Sequence, residues 1–329
     1  MTVGERGEHA LLEWLRQHLP APGADVVVGI GDDAAVLAPT RGSYLVQTTD
    51  AMVEGVHFDL RWSTPAEVGR RAVAVNLSDL AAMGARPSWL LLSLVLPDAF
   101  PVAAFEALAL AVSAAARHAG ATLVGGNLTR TAGPLVVDVS ATGHVRPRRV
   151  LRRDSACAGD ELWLTGSIGA AAAGLAMLRA HDPVDAACID RYKVPTPRLR
   201  DAWAMARDRA ARAGLDLSDG LADAVRQLTS ASGVGARIDA SALPIEPGAR
   251  RWFEARGDDP VLAAIGASDD YEMLFAVPPR AKGRLRAARA GSATPFTYIG
   301  TLTKHPACVL TRNGVDAPLP AGFEHFASV

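Results

Sequence analysis

Four short motifs of this chain place aspartates directly beside apolar segments. They are Gly29-Ile30-Gly31-Asp32-Asp33, Thr48-Thr49-Asp50, Asn76-Leu77-Ser78-Asp79 and Asp216-Leu217-Ser218-Asp219-Gly220. Polar and charged groups of this kind are costly to bury unless they find partners, and a bound cation is one such partner. Carboxylates are hard oxygen ligands, and the Mg²⁺ that they bind usually serves phosphate chemistry. The motifs therefore predict a metal-centred phosphate site.

Length and composition indicate a globular protein with two domains. The chain has 329 residues, of which 49% are hydrophobic and 21% are charged, which suffices for two separate cores. The net charge of −1 gives no general attraction to nucleic acid or to an anionic membrane. No apolar run is long enough to cross a bilayer, and the first residues contain no apolar signal core. We expect a cytoplasmic protein without a nucleic-acid or membrane partner.

The cysteines are few and far apart. Cys157, Cys188 and Cys308 show neither a metal-ligand spacing nor a redox spacing. We expect them to be small apolar fillers in a protein of the reducing cytosol.

Hydrophobic periodicity predicts mixed helices and strands in both halves of the chain. Helices are predicted at 8–19, 65–83, 101–119, 198–213, 220–232, 247–256 and 279–289, and an alanine-rich helix opens at 166–169. Strands are predicted at 25–29, 34–38, 43–49, 89–96, 121–125, 134–146, 161–165, 214–217, 235–239, 271–277 and 296–301. An Arg/Pro-rich stretch at 146–153 marks the boundary between two α/β domains of mixed α+β character, 1–147 and 148–329.

Three motifs also have a purely structural interpretation. Residues 29–33 could form an ordinary hairpin turn, and they are no dinucleotide fingerprint because neither a third glycine nor a helix follows. The motif at 48–50, predicted at a strand end, could be a helix N-cap. Gly125 and Gly126, predicted to follow a strand, could form a plain turn, although paired glycines also let a backbone approach a ligand. His57 alone is more typical of an ordinary surface or core histidine.

The predicted helix at 65–83 is more informative. Asn76, Ser78 and Asp79 interrupt an otherwise apolar segment, and a bound cation would offset the cost of burying them. The alternative is a helix with one polar face that ends at Gly84.

The motif at 216–220 places two carboxylates at one strand-to-helix junction. Ser218 or Asp219 could simply cap the helix. Two carboxylates exceed what capping requires, so this motif could supply the second half of a metal site.

Other common site patterns are absent from the sequence. There is no P-loop, no protein-kinase motif set, no Gly-x-Ser-x-Gly elbow and no His-Glu-x-x-His. The arginines at 146–153 form a single basic run without interleaved aromatic residues, which argues against nucleic-acid binding. The run is typical of a solvated linker, although one arginine could still reach a nucleotide phosphate.

Taken together, the motifs resemble the thiamine-monophosphate kinase family. Its wider superfamily includes the aminoimidazole ribonucleotide synthetases, the selenophosphate synthetases and a hydrogenase-maturation protein. The matching segments are 29–34, 48–50, 54–58, 74–87, 125–127, 216–221, 270–272 and 325–326. They occur in the family's order over most of the chain, and the match at 74–87 is the most specific.

The resemblance implies ATP-dependent phosphorylation of thiamine monophosphate to thiamine diphosphate with several Mg²⁺ ions. It implies an N-terminal domain that binds ATP and Mg²⁺ and makes a homodimer by pairing sheets into a shared barrel. It also implies a C-terminal domain that closes over the nucleotide and completes the substrate site. A phosphate acceptor is already anionic near neutral pH, since its second pKa is about 6. The reaction then needs positioning and charge neutralisation rather than a general base.

The resemblance also assigns roles to individual residues. The positions matching catalytic carboxylates are Asp33, Asp50, Asp79 and Asp219. The positions matching metal ligands are Asp33, Thr48, Thr49, Asp50, Asp79, Asn127, and Asp216 or Asp219, between which the sequence does not choose. The positions matching ATP contacts are Thr48, Thr49, Gly126, Asn127, Arg153 and Ser218. The positions matching substrate contacts are His57, Asp269 and Phe323.

This sequence departs from the family pattern mainly in its C-terminal half. Asp269 stands where a glutamate is expected, and Ala267 and Ser268 replace paired glycines. Phe323 replaces a Trp or Tyr, which keeps the stacking face without the polar group. Asn127 stands where some members have aspartate, and Val194 replaces an arginine. The departures leave the ATP–Mg²⁺ half nearly intact and bear on the acceptor.

Two alternatives to this function remain at the level of the sequence. One is another ATP-using member of the superfamily with a different acceptor. The other is a nucleotide-binding homologue without catalysis. Selenophosphate synthesis is disfavoured because no reactive cysteine lies near residue 1, and hydrogenase maturation because the sequence ends Phe-Ala-Ser-Val.

Overall fold

The computed structural model describes residues 1–31, 34–266 and 268–320. The chain divides into two compact units. Unit 1 comprises Met1–Leu80 and Ala85–Pro147, and unit 2 comprises Ala81–Gly84 and Arg148–Val329. Each unit contains its own sheet, and each is described by itself.

Unit 1 is built from six strands and four helices among the described residues. In chain order they are α1 (Val3–Arg6), α2 (Glu8–His18), β1 (Val26–Val28), β2 (Val36–Leu37), β3 (Tyr44–Val53), α3 (Pro65–Ala82, whose last two residues belong to unit 2), β4 (Arg86–Pro97), α4 (Val102–His118), β5 (Thr122–Thr131) and β6 (Val136–Val145). The main sheet has the order β3-β6-β4-β5, with β4 and β5 parallel and the other pairs antiparallel. Strands β1 and β2 form a separate antiparallel pair.

The sheet of unit 1 has one covered face and one open face. Along β6, side chains alternate strictly between half-buried and fully buried, as expected when only one face packs against a core. The covered face packs with α3 and α4, whose Leu77, Leu80, Phe105 and Leu108 are almost completely buried. Helix α3 begins with a capping box, in which Thr64 Oγ1 accepts from Glu67 N and the Glu67 carboxylate accepts from Thr64 N.

Unit 2 contains a seven-stranded sheet of order β13-β12-β9-β11-β7-β10-β8. Its elements are β7 (Glu161–Thr165), α5 (Ala170–Arg179), α6 (Ala186–Lys193), α7 (Leu199–Arg207), β8 (Ala213–Asp216), α8 (Leu221–Ser232), β9 (Gly235–Asp239), α9 (Pro247–Glu254), α10 (Pro260–Ile265), β10 (Met273–Val277), α11 (Lys282–Ala290), β11 (Phe296–Thr303), β12 (Cys308–Arg312) and β13 (Val315–Pro318). Strands β9 and β12 are parallel, and the remaining neighbours are antiparallel.

Both faces of this sheet are covered. Every residue of β10 is buried. Its Leu274 and Ala276 join a core with α8 and α10, whereas Met273, Phe275 and Val277 join a second core with α7 and α11. A strand buried on both faces is apolar throughout, which explains why Met273–Val277 reads as one continuous apolar run.

The predicted mixture of two α/β domains is confirmed, but several element boundaries were wrong. Residues 48–50 and 125–127 lie inside β3 and β5 rather than at strand ends, because both strands continue for several more residues. The helix predicted at 198–213 ends at Arg207. Elements α6, α10, β12 and β13 were missed because they are short, and β13 is exposed along its whole length, so it shows no apolar alternation.

The cysteines are free among the described residues. Burial, together with the nearby charge of Asp185, raises the pKa of the Cys188 thiol to about 12, so this residue is the expected apolar filler. Cys157 is exposed, and for this residue the prediction of a buried filler was wrong. Within the described ranges, the helices are too short or too polar to cross a membrane.

His144 on β6 gives unit 1 a pH-dependent stability. Its Nδ1 lies 2.9 Å from Ser88 Oγ. Burial, and then the positive charge of Arg86, lower the pKa of His144 from its ordinary 6.5. Folding therefore favours the neutral ring, and protonation opposes the folded state.

We predict that His144→Gln makes the free energy of unfolding fall less steeply as the pH becomes acidic. The stabilising contribution of neutral His144 is fully present above the unfolded-state pKa of about 6.5 and is lost as the pH falls through the lower folded-state pKa. Urea unfolding of unit 1, followed between about pH 8 and pH 5, should show a steeper loss of stability below pH 6.5 in the wild type than in the variant. If the free energy of unfolding fell equally with pH in the wild type and the variant, the proposed role of His144 would be contradicted.

Candidate functional site

Strand β3 presents its predicted site residues on both faces of the unit 1 sheet. Successive strand residues point to opposite sides, so Thr48 and Asp50 share one face and Thr49 lies on the other. Thr48 Oγ1 donates to Asp79 Oδ2 across 2.5 Å. Thr48 and Asp50 are half-buried, whereas Thr49 is exposed. The covered face thus joins Thr48 to Asp79 where β3 contacts α3, and Asp50 lies on the same face of β3.

Helix α3 carries its polar groups in an almost fully buried environment. Asn76 and Ser78 are 0% exposed, and Asp79, one residue later, is half-buried. Asn76 Nδ2 donates to Ala72 O at 2.9 Å, while Asn76 Oδ1 has no hydrogen-bond partner among the described residues. The helix ends at Ala82, and Gly84 follows with a φ of +68°, as the alternative of a helix ending at Gly84 expected, but the polar groups at 76 and 78 are buried.

The open face holds a second group of polar side chains. Thr49 Oγ1 donates to Asp138 Oδ1 at 2.9 Å and lies 3.0 Å from Ser140 Oγ. Asp138 stands opposite Ser93 on β4, and Ser93 stands opposite Asn127 on β5. Asn127 therefore shares the open face with Thr49 and Asp138. The sequence analysis missed Asp138 and Ser140, although the alternation of Val136–Val145 could have placed both on one exposed face.

The glycine pair at 125–126 has a reason within the sheet. Both residues lie inside β5, so the plain-turn interpretation is wrong. A Cβ atom on Gly126 would lie 1.8 Å from Leu92 O of the neighbouring strand, whereas a Cβ atom on Gly125 would meet only Leu91 Cδ2 at 3.1 Å. Gly126 is required because β4 approaches it too closely for any side chain.

His57 lies in the turn that follows β3. Its Nδ1 accepts a hydrogen bond from Val53 N at 3.0 Å. An amide N–H can donate only to an unprotonated ring nitrogen, so the proton of the neutral ring is on Nε2. The half-buried ring is thereby held in a fixed orientation at the end of β3.

Unit 2 contributes the motif between β8 and α8. Asp216 is the last residue of β8 and is 5% exposed, and Ser218 and Asp219 are half-buried. Gly220 is the N-cap residue of α8, and no side chain caps this helix end. The interpretation of Ser218 or Asp219 as the N-cap residue is therefore wrong.

Gly220 also fixes how this motif is packed. Its φ is +90°, and a Cβ atom there would lie 1.7 Å from Gly266 O. Only glycine fits this close approach in this conformation. The loop 217–220 therefore contacts the chain just after α10, which leads into the segment at 268–272.

Arg153 and Asp269 complete the predicted residues of unit 2. Arg153 is exposed, and its Nη1 donates to Gln227 Oε1 on α8 at 2.6 Å. Asp269 is half-buried between buried neighbours. Tyr271 N donates to Leu217 O at 3.1 Å, and Leu217 N donates to Glu272 O at 2.9 Å. The structure thus joins the segments 216–220 and 269–272 by backbone hydrogen bonds.

Each unit contains hard oxygen donors of the type that Mg²⁺ prefers. Unit 1 offers the Thr48 hydroxyl and the Asp50 and Asp79 carboxylates, and unit 2 offers Asp216 and Asp219. This donor chemistry fits Mg²⁺. Within residues 1–31, 34–266 and 268–320, no three His, Cys, Asp or Glu side chains form a group that could hold a metal ion. Asp33 and Phe323 lie outside the described residues.

Family comparison agrees with both units. The family model described as AIR synthase related protein, N-terminal domain, matches residues 31–145. The model of the corresponding C-terminal domain matches residues 158–313. The thiamine-monophosphate kinase of Salmonella typhimurium (strain LT2) is 37% identical over 330 residues, which cover 98% of this chain and 99% of that protein. The chain belongs to the thiamine-monophosphate kinase family. The resemblance inferred from the motifs is confirmed.

Solved structures of this family share the fold. The crystal structure of thiamine-monophosphate kinase from Stenotrophomonas maltophilia K279a has a TM-score of 0.81 at 33% identity and covers 93% of this chain and 95% of its own. AaThiL complexed with AMPPCP and TMP has a TM-score of 0.78 at 30% identity and covers 99% of both chains. The similarity therefore extends over both units and their site motifs.

We predict that Gly126→Ala strongly destabilises unit 1 and that Gly125→Ala is tolerated. The added methyl group at 126 meets backbone that cannot move without breaking the β4–β5 pairing, so the cost should be about 1–3 kcal/mol or more. The methyl group at 125 meets only the end of a flexible leucine side chain. Urea unfolding of the two variants tests the difference, and equal stabilities would contradict the close approach.

Proposed function

We propose that this protein transfers the γ-phosphoryl group of ATP in line to the phosphate of thiamine monophosphate, forming thiamine diphosphate with the assistance of several Mg²⁺ ions. The observation that carries the proposal is the full-length similarity to AaThiL, whose structure contains AMPPCP and TMP. Relatives of 35–37% identity over nearly the whole chain bear the same enzyme name.

The acceptor explains why the site is rich in carboxylates and lacks an evident base. A phosphate monoester has a second pKa of about 6, so its oxygen is already anionic near neutral pH. The obstacle is repulsion between two polyanions brought close together. Bound Mg²⁺ would supply charge neutralisation and would help to orient the phosphates.

In unit 1 the roles implied by the family resemblance fall on both faces of the sheet. Thr48 fixes the orientation of the Asp79 carboxylate by its hydrogen bond, and Asp50 adds a second carboxylate on the same face. These residues, with Asp33, would hold metal. ATP or its metal is the proposed partner of Thr49 and Asn127, which lie on the open face, and of Gly126 in strand β5. His57, with the proton of its neutral ring on Nε2, would donate to the substrate.

In unit 2 the roles divide between two joined segments. Asp216 and Asp219 would hold metal, and the half-buried Asp219 is the more accessible of the two. Ser218 and Arg153 would contact the nucleotide, as the family resemblance implies. Asp269 would contact the acceptor, together with Phe323.

A homodimer in the cytoplasm belongs to the same proposal. The open face of the unit 1 sheet exposes Leu45 (52%) and Leu91 (43%) and contributes Thr49 and Ser93 to a groove of 1390 Å³. Exposed apolar side chains beside an open sheet face are typical of an interface, and a second copy of the chain is the proposed occupant. Three free cysteines suit a reducing compartment.

The test of the proposed function is turnover of the purified protein. ATP, Mg²⁺ and thiamine monophosphate are incubated with the enzyme, the product is identified by chromatography, and free thiamine is the control substrate. Thiamine diphosphate formed only from the monophosphate is the expected result. ATP binding without that product would overturn the proposed acceptor.

We predict that Asp79→Asn reduces kcat by about 100-fold or more, because it removes a proposed ligand charge at the site. The fold should persist, since the amide keeps the shape and can accept from Thr48. Raising the Mg²⁺ concentration should recover part of the activity, which a merely structural defect would not show.

The matched control for this variant is Asp98→Asn. Asp98 is an exposed aspartate of unit 1 whose carboxylate lies 3.7 Å from Arg130 Nη1, and such surface pairs contribute little. Its kcat and Mg²⁺ dependence should equal those of the wild type. A wild-type rate in Asp79→Asn would remove Asp79 from the proposed site.

A further inference from the structure

Unit 2 contains a buried ion cluster around Glu272 to which the proposed mechanism assigns no role. Glu272 is 0% exposed. Its carboxylate accepts from Thr165 Oγ1 at 2.7 Å, from Arg191 Nη2 at 2.6 Å and from Arg198 Nε at 2.6 Å. Arg198 Nη2 donates as well, so the Arg198 pair is bidentate.

The residues on either side of Asp269 are anchored equally firmly. Asp270 accepts from Gly169 N at 2.6 Å and from Ala171 N at 3.1 Å, at the start of α5. Ser268 Oγ also donates to the Asp270 carboxylate. Arg191 Nη2 reaches Asp270 O at 3.4 Å and so contacts both carboxylate-bearing residues. Every residue of 268–272 except Asp269 is buried.

The backbone of Tyr271 has a conformation that the surrounding structure must stabilise. Its φ is +51°, in the left-handed region. A bulky residue with a Cβ atom keeps this conformation only where the surrounding structure determines it. The backbone bonds of Leu217 with Tyr271 and Glu272 supply part of that constraint and tie the segment to the motif at 216–219.

The charges of the cluster are complementary. Burial alone would lower the pKa of Arg198, but its hydrogen bonds with Glu272 and the negative charges of Glu272 and Asp201 raise that pKa overall, so the guanidinium stays ionised. Buried ion networks often contribute little net stability, because desolvation offsets the attraction between the charges. What such a network can do is select one arrangement of the groups that it joins.

We propose that Arg191 and Arg198 are positioning residues for the acceptor: by holding Glu272 they fix the segment 268–272 so that Asp269, its one half-exposed side chain, is presented to the substrate. The inference rests on the proposed function. It adds two arginines that touch neither ATP nor acceptor in the proposal and that act through Glu272 and Asp269.

Arg198→Lys is the first test. Lysine keeps the positive charge but cannot make the bidentate contact. We expect KM for thiamine monophosphate to rise roughly 10- to 100-fold, as for the loss of a charge-assisted hydrogen bond, while KM for ATP changes by less than about twofold. An unchanged acceptor KM would overturn the inference.

Arg212→Lys is the matched control. Arg212 Nε lies 3.1 Å from Asp160 Oδ2, and Asp160 is 2% exposed, so this is also an arginine paired with a buried carboxylate in unit 2. It has no proposed link to Asp269. Both KM values should stay at their wild-type levels, even if the melting temperature falls.

A double-variant cycle tests whether the effect passes through Asp269. If it does, Asp269→Asn combined with Arg198→Lys should bind acceptor no worse than Asp269→Asn alone. Multiplicative losses in kcat/KM would show that Arg198 acts independently of Asp269 and would overturn the proposed route.

Hydrogen exchange separates failure of this inference from failure of the proposed function, because it needs no substrate. Mass spectrometry of peptides covering 268–276 should show faster exchange in Arg198→Lys than in the wild type or Arg212→Lys. Unchanged exchange, or faster exchange throughout unit 2 in both variants, would overturn positioning. If the wild type made no thiamine diphosphate, the function would fail while this measurement still decided the role of the arginines.

Discussion

Burying a carboxyl group inside an apolar protein is costly unless it finds hydrogen-bond donors or countercharges, and this chain buries several such groups. Glu272 is surrounded by two arginines and a threonine, and Asp270 accepts backbone amides at the start of a helix. Burial raises the pKa of Asp270, while the hydrogen bonds from Ser268, Gly169 and Ala171 work in the opposite direction. The packing of unit 2 around β10 depends on these solutions, since every residue from Asp270 to Val277 is buried.

The carboxylates of the motifs form a different group. Asp79 and Asp219 are half-buried, and each lies at a junction between elements. Asp79 receives the Thr48 hydroxyl across the contact of β3 and α3, and Asp219 lies in a loop whose helix cap is supplied by Gly220 instead. Neither arrangement is needed to start or end an element. A solved member of the family contains AMPPCP and TMP. In the proposed reaction, the carboxylates of Asp79 and Asp219 would hold metal beside such phosphates.

The stretch from Ser268 to Glu272 contains both buried carboxyl groups, at 270 and 272, and a half-buried one, at 269. The other four residues are buried, and Asp269 alone in this stretch has intermediate exposure. Asp269, which replaces the family's glutamate, therefore lies in a segment that hydrogen bonds and ion pairs hold in one conformation. The aspartate side chain is shorter than a glutamate side chain, and a fixed backbone cannot move to restore a lost contact with the substrate. The exact position of Asp269 therefore matters more.

The sequence by itself determined the main helices and strands, the two-domain α/β class and the family, because hydrophobic periodicity and motif residues are local properties of the chain. It also singled out Asn76, Ser78 and Asp79, since polar groups within an apolar helix are visible without coordinates. Only the tertiary structure decided that the close approach of Leu92 O requires Gly126 and that Asp138 lies beside Thr49. It alone revealed Arg191 and Arg198 around Glu272, because α6 and the start of α7 bring these arginines to a residue 81 and 74 positions away in the chain. Strand register and long-range ion pairing depend on which elements become neighbours, and no local pattern records that choice.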